Sequence, residues 1–146
     1  MTQEIAEDIA DESGPIRLLF ICFENSCRSQ MAEAFARGHG VPGTEAYSAG
    51  SRPSGVVNPT AIRVMAEVGY DLSTHRSKAV GEVPAGPFDV VVSMGCGDDC
   101  PFVPARRREE WEIPDPKEMP LPEFREVRDR IEREVSGLLE SLGARR

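Results

Sequence analysis

The chain lacks any long hydrophobic run. Its most apolar early stretch, Leu18 to Phe23, is six residues, against the ~20 that a membrane-spanning helix needs. Its first fourteen residues hold no lysine or arginine, which excludes the charge pattern of a secretory signal or an organelle transit peptide. Bases are in deficit throughout: 17 against 25 acids gives a net charge of −8. Five of those acids (Glu4, Glu7, Asp8, Asp11 and Glu12) crowd into the first fourteen residues, and the remainder is still acidic. An acidic body argues against non-specific binding to nucleic acid or to an anionic membrane, which requires a basic face. Any anion site must therefore be built by local geometry. Histidine is scarce, and neither His39 nor His75 has a recognisable nucleophile partner, so both read as surface or capping residues. Internal repeats and a dividing linker are also absent.

What is present is enough for one packed domain. At 146 residues, 40% of them hydrophobic, the chain has the commonest single-domain size. Residues 1–14 are expected to form an acidic flexible tail, and residues 15–146 a single domain. A cytoplasmic setting is the default without a leader. In that reducing compartment, four cysteines are expected to be catalytic or metal-binding rather than structural bridges.

Arg17 to Ile21 is a short apolar run that predicts a buried strand. Gln30 to His39 has helical composition, and Ala46 to Ser48 suggests a second strand. Asn58 followed by Pro59 marks a helix start, with Ile62, Val64, Met65 and Val68 on its apolar face and Gly69 closing it. Ser77 to Val80 reads as another short helix. Phe88 to Val92 is strongly β-branched and predicts a central strand; Glu110 to Ile113 predicts the last one. Arg106, Arg107 and Arg108 read as a solvated turn that could dock an acidic reductant. Phe124, Val127, Ile131, Val135, Leu138 and Leu142 recur at spacings of three and four, an amphipathic C-terminal helix. Strands alternating with helices predict an α/β fold with a parallel sheet and helices on both faces.

The chemistry concentrates in Cys22, Phe23, Glu24, Asn25, Ser26, Cys27, Arg28 and Ser29, directly after a predicted strand and at the mouth of a helix. A loop of this length can curl until Cys22 and Arg28 face one point. Successive N–H groups then turn inward and form an anion nest at a helix N-terminus, and the planar fork of Arg28 grips two oxygens of a tetrahedral oxyanion. The same positive environment favours the thiolate of Cys22 over the thiol. Ser29 and Asn25 can hydrogen-bond the sulfur or hold the loop. An ordinary strand–helix turn is the bland alternative, and the placement between strand and helix speaks against it.

A second pair, Cys96 and Cys100, follows the other strong strand. In a parallel sheet both loops leave the same carboxyl edge, where open α/β sheets bind ligands. Four residues apart, Cys96 and Cys100 approach the ~4.4–6.8 Å Cα separation of a disulfide. A cascade follows: Cys22 attacks the bound oxyanion centre, Cys96 displaces the reduced product, and Cys100 takes over the disulfide. Two small buried residues, or a zinc site of Cys22, Cys27, Cys96 and Cys100, are the alternatives. The zinc site has the right ligand number, but its spacings are wide and it leaves Arg28 without a role.

Together, Cys22 with Asn25 to Glu33, Tyr47 to Gly50, Val57 to Pro59, Met94 to Cys96, Cys100-Pro101 and Trp111 with Asp115-Pro116 resemble the thioredoxin-linked arsenate reductases. These are relatives of the low-molecular-weight protein tyrosine phosphatases, and the likeness runs from about Arg17 to Leu142. It implies a flavodoxin-like three-layer sandwich with a central four-stranded parallel sheet, and reduction of arsenate to arsenite without a cofactor. Thioredoxin, or a glutaredoxin or low-molecular-weight thiol system, is the implied reductant. By the same resemblance Cys22 is the nucleophile, Arg28 the oxyanion clamp and Asp115 the general acid, with Cys96 and Cys100 resolving. Phe23 and Glu24 replace the more usual small residues, so Glu24 is expected to point outward. Some relatives hold potassium on Asn, Glu, Ser and Asp side chains. Asn25, Glu33 and Ser48 match these, but Lys78 stands where the aspartate would be, so no metal is expected. A phosphatase of the same fold is the runner-up, needing Cys22, Arg28 and Asp115 but not Cys96 or Cys100. A redox sensor or anion-binding module is the third reading.

Overall fold

Residues 15–95 and 100–143 are described in a computed structural model. The acidic stretch 1–14 and Cys96 lie outside the described residues. Four strands form one sheet: β1 (Ile16–Cys22), β2 (Thr44–Gly50), β3 (Phe88–Met94) and β4 (Ala105–Glu110). Their order is β2-β1-β3-β4, and every pairing is parallel, which is the flavodoxin-like arrangement expected. β1 and β3 lie in the middle and are buried on both faces, hence their unbroken apolar sequences.

Three helices, α1 (Arg28–His39), α2 (Pro59–Glu67) and α3 (Leu121–Ser141), pack on one face. Met31, Ala32 and Phe35 of α1 and Ala61, Val64 and Met65 of α2 join Phe124, Val127, Ile131, Val135 and Leu138 of α3 around Leu18, Phe20, Val90 and Val92 of the sheet. Complete burial of a Phe or Leu here contributes about 1.5–3 kcal/mol. The Asn58 carboxamide caps α2, its Oδ1 accepting from the N–H groups of Thr60 and Ala61 at 2.7 and 3.3 Å. On the other face Leu19, Ile21, Phe88 and Val91 are covered by Tyr47, Val80, Val83, Cys100 and Val103. Among the described residues no helix is long and apolar enough to cross a membrane.

Four sequence expectations are corrected. The sequence predicts helices on both faces of the sheet, but among the described residues all three α-helices lie on one face and only the 3₁₀ turn Val80–Glu82 and loops cover the other. The last strand is Ala105–Glu110, not Glu110 to Ile113. Arg106, Arg107 and Arg108 are accordingly part of β4 rather than a turn. Among the described residues β4 pairs on one side only, with β3, so charged residues serve along it where a central strand would need apolar ones. Trp111 and Ile113 lie beyond its end, and both are buried. The short helix expected at Ser77 to Val80 is a single 3₁₀ turn at Val80–Glu82, stopped by Pro84, which cannot donate to a further turn.

The topology places the site. Cys22, the last residue of β1, is in register with Gly50 of β2 on one side and Met94 of β3 on the other. The chain order reverses between β1 and β3, and it is at such a switch point that open parallel sheets bind ligands.

Candidate active site

From Cys22 the chain wraps into a ring held from outside. The carbonyls of Cys22, Phe23, Glu24 and Ser26 accept from the N–H groups of Ser51, Arg52, Ser54 and Asn58 at 2.8–3.2 Å, and the Ser77 hydroxyl donates to the Glu24 carbonyl at 2.8 Å. With those carbonyls turned outward, the ring's own N–H groups face the other way. Among the described residues none of the N–H groups of Glu24, Asn25, Ser26 or Cys27 donates to a protein acceptor. Asn25 makes the tightest bend, with φ of 53°, a left-handed conformation that asparagine tolerates better than most residues. Its buried side chain donates to Ser29 Oγ at 2.7 Å and accepts from Gln30 Nε2 and the Lys78 N–H, each at 2.9 Å. Gly50 lets the ring pack this closely, since a Cβ there would lie 2.9 Å from the Phe23 carbonyl oxygen.

Cys22 Sγ lies at the foot of the ring, 2.9 Å from Ser29 Oγ. Arg28, 6% exposed, donates through Nη1 to the Ile113 carbonyl at 3.0 Å and holds Asp115 Oδ2 3.7 Å from Nη2. Its buried Nε has no partner among the described residues. A buried guanidinium N–H without an acceptor is costly, and an oxyanion seated in the ring would satisfy it. Gly95 closes the other side with a left-handed φ of 81°, and a Cβ there would strike Arg28 Nη1. Beyond it opens a cleft of about 440 Å³ lined by Gly95, Trp111, Glu112, Ile113 and Pro114.

The ring thus brings together Cys22, Asn25, Arg28, Ser29 and Asp115. Cys27 is in the ring but buried among apolar groups, which push its thiol up to about 12; it is protonated at neutral pH. Cys100 is half-buried and disulfide-bonded, whereas Cys22 and Cys27 are free. It lines a second cleft of about 260 Å³ with Ile21, Val91, Phe102 and Arg108. Glu24 turns its carboxylate to Lys117, whose Nζ lies 3.1 and 3.0 Å from its two oxygens. That hydrogen-bonded carboxylate holds the ammonium above the ordinary lysine range.

Residues 17–146, the ring included, match the family described as low molecular weight phosphotyrosine protein phosphatase. The chain belongs to this family. Within it, the chain is 40% identical to a glutaredoxin arsenate reductase of Synechocystis sp. over 126 residues, 84% of this chain and 95% of that protein. It is 42% identical to an arsenate reductase of Staphylococcus aureus over 118 residues, covering 78% and 88%. A solved arsenate reductase in its phosphate-binding state superposes with a TM-score of 0.77 at 37% identity, covering 86% of this chain and 98% of that one.

Two further contacts join residues distant in sequence. Lys78 Nζ lies 3.4 Å from Ser48 Oγ and 3.9 Å from Glu33 Oε1. The side chains gathered there already include a cation and do not fit a potassium ion as well. His75 corrects its surface assignment: it is half-buried, with Nδ1 2.9 Å from Gln30 Oε1, and burial pushes its pKa down. Gln30 in turn donates to Asn25, so His75 buttresses the ring at one remove. Lys117, and the contact of Gly95 with Arg28, escaped sequence reasoning, since no local pattern places either residue beside Glu24 or Arg28. Among the described residues no group of three or more His, Cys, Asp or Glu is placed to hold a metal.

Proposed function

We propose that the chain reduces arsenate to arsenite, with Cys22 as nucleophile and Cys96 and Cys100 as the pair that carries electrons outward. The observation that bears most of this weight is the ring at Cys22, where the N–H groups of Glu24 to Cys27 and Arg28 Nε have no acceptor among the described residues. It sits in register with the strand that leads to the second cysteine pair. Arsenate binds in the ring with Arg28 gripping its oxygens. The Cys22 thiolate attacks arsenic, and Asp115 protonates the leaving oxygen, which departs as water. The Cys96 thiolate then attacks Cys22 Sγ. The electron pair of the sulfur–arsenic bond passes to arsenic, which leaves as arsenite, two electrons richer. Cys100 attacks Cys96 Sγ and frees Cys22 as thiolate, leaving one Cys96–Cys100 disulfide per arsenate. Thioredoxin, or a glutaredoxin or low-molecular-weight thiol system, returns that disulfide to two thiols.

The buried, protonated Cys27 is poorly suited to this exchange, and the other three sulfurs suffice for three steps. Phosphate-ester hydrolysis is the second reading, favoured by the family's phosphatase description. It uses Cys22, Arg28 and Asp115 and has no need of Cys96 or Cys100. Arsenate-dependent NADPH oxidation with thioredoxin and its reductase, or with glutaredoxin, glutathione and glutathione reductase, separates the two. Serine at position 22, 96 or 100 is expected to abolish turnover, whereas Cys27→Ser retains it. Wild-type turnover in the variants at 96 and 100 would overturn the cascade, and wild-type protein that drives no arsenate-dependent oxidation with either system would overturn the reductase reading.

A further inference from the structure

The acid loop, residues 114–120, is poorly anchored by its own backbone. Pro114, Pro116 and Pro120 have no N–H to give. Within the loop, the Met119 N–H donates to the Pro116 carbonyl at 2.9 Å and the Lys117 N–H to Asp115 Oδ1 at 3.1 Å. Its ties to the ring are made by side chains: Arg28 on the Ile113 carbonyl and beside Asp115, and Lys117 on Glu24. Glu24 is a firm anchor. Its carbonyl is held by the Ser77 hydroxyl and the Ser54 N–H, and its backbone packs on Gly50. Lys117 therefore joins a firmly held residue of the ring to a loop whose acid side chain is 45% exposed. The two oxygens of Glu24 grip one ammonium.

We propose that the Glu24–Lys117 ion pair is a latch across the site, with Lys117 positioning Asp115 over the bound oxyanion and cancelling the Glu24 charge at the ring. Two separable effects follow. As a tether, the pair raises the fraction of molecules with Asp115 in place; an exposed ion pair of this kind is worth about two- to fivefold in such a population. As a counter-charge, Lys117 offsets a carboxylate that would otherwise repel a dianion, an effect of about three- to tenfold on its binding at close range. The inference rests on Asp115 acting as the acid in the proposed reaction.

The test uses full-chain protein, pre-reduced and freed of reductant, and follows the loss of two thiols per arsenate in a single turnover. This dispenses with the identity of the electron donor. Lys117→Met is expected to slow the saturated rate about two- to fivefold and to raise the half-saturating arsenate concentration about three- to tenfold. Glu24→Gln combined with Lys117→Met restores the half-saturating concentration but not the rate. The charge swap, Glu24→Lys with Lys117→Glu, restores the rate. An ion pair with a purely structural role would leave the rate unchanged and show no recovery on swapping. Asp115→Asn runs alongside. If it slows the reaction while Lys117→Met reacts as wild type, the latch is refuted and the acid assignment stands. If Asp115→Asn reacts as wild type, the acid assignment falls and the latch with it.

Discussion

Replacing Lys78 with methionine keeps the aliphatic stem and removes the ammonium beside Glu33. Glu33 is 3% exposed on α1 and has two cationic neighbours, Arg37 at 2.7 Å and Lys78 at 3.9 Å. At that distance and an effective dielectric constant of ~20, the Lys78–Glu33 attraction is about 4 kcal/mol. Burial opposes it: desolvation is the main cause that lowers the Lys78 pKa, so removing the charge also removes a cost. Arg37 remains to neutralise Glu33, so the net loss should be about 1–2 kcal/mol, below the ~3–5 kcal/mol of a buried charge left wholly unpaired. For a chain of this size that is a fall in Tm of about 3–8 °C. The variant also opens a carboxylate- and hydroxyl-lined space at Glu33 and Ser48 that a small cation can enter. Differential scanning calorimetry in potassium and sodium chloride at equal ionic strength should show no difference for wild type. Potassium should recover part of the loss in Lys78→Met. A large potassium-specific stabilisation of wild type, or a variant that melts with wild type, would refute this account of the internal cation.

Gly95→Ala combines a left-handed backbone strain of about 1–2 kcal/mol with a Cβ driven into the Arg28 guanidinium. Arsenate turnover should fall about 10- to 100-fold while the melting temperature moves only a few degrees. His75 has its folded-state pKa pushed below the ordinary ~6.5. The unfolded chain therefore takes up the proton first as pH falls, and the neutral imidazole's contribution is present above about pH 6.5 and lost below it. Thermal melts from about pH 7.5 to 5 should decline less steeply for His75→Gln than for wild type. With its thiol held near 12, Cys27 should resist iodoacetamide at about pH 7 in the native protein and react after denaturation, as read by peptide mass mapping.

The parts legible in the sequence are those whose physics is local. β1 and β3 are covered on both faces, so their apolar runs announce them. Asn58 caps its own helix two residues ahead, and α3 writes its buried stripe directly at three- and four-residue spacing. The ring itself is one contiguous segment, and so Cys22 and Arg28 could be paired on sight. β4 was hidden because its side chains answer to solvent rather than to a core; the apolar Trp111 and Ile113 just past its end drew the prediction three residues too far. Lys117 reaches Glu24 across 93 positions, and Gly95 matters only because Arg28 folds against it. No spacing rule could have revealed either contact.

The outermost ribbon of the sheet, reading Ala105-Arg-Arg-Arg-Glu-Glu110, has one further effect. Among the described residues no strand pairs with its outer side, and a sheet edge is where a foreign strand could be added, the step by which sheets polymerise. Five charged residues in succession make that addition unfavourable, because an incoming strand would have to strip water from both signs of charge at once. The charge along β4 thus works against strand addition at the side of a sheet that carries a reactive thiol ring at one end.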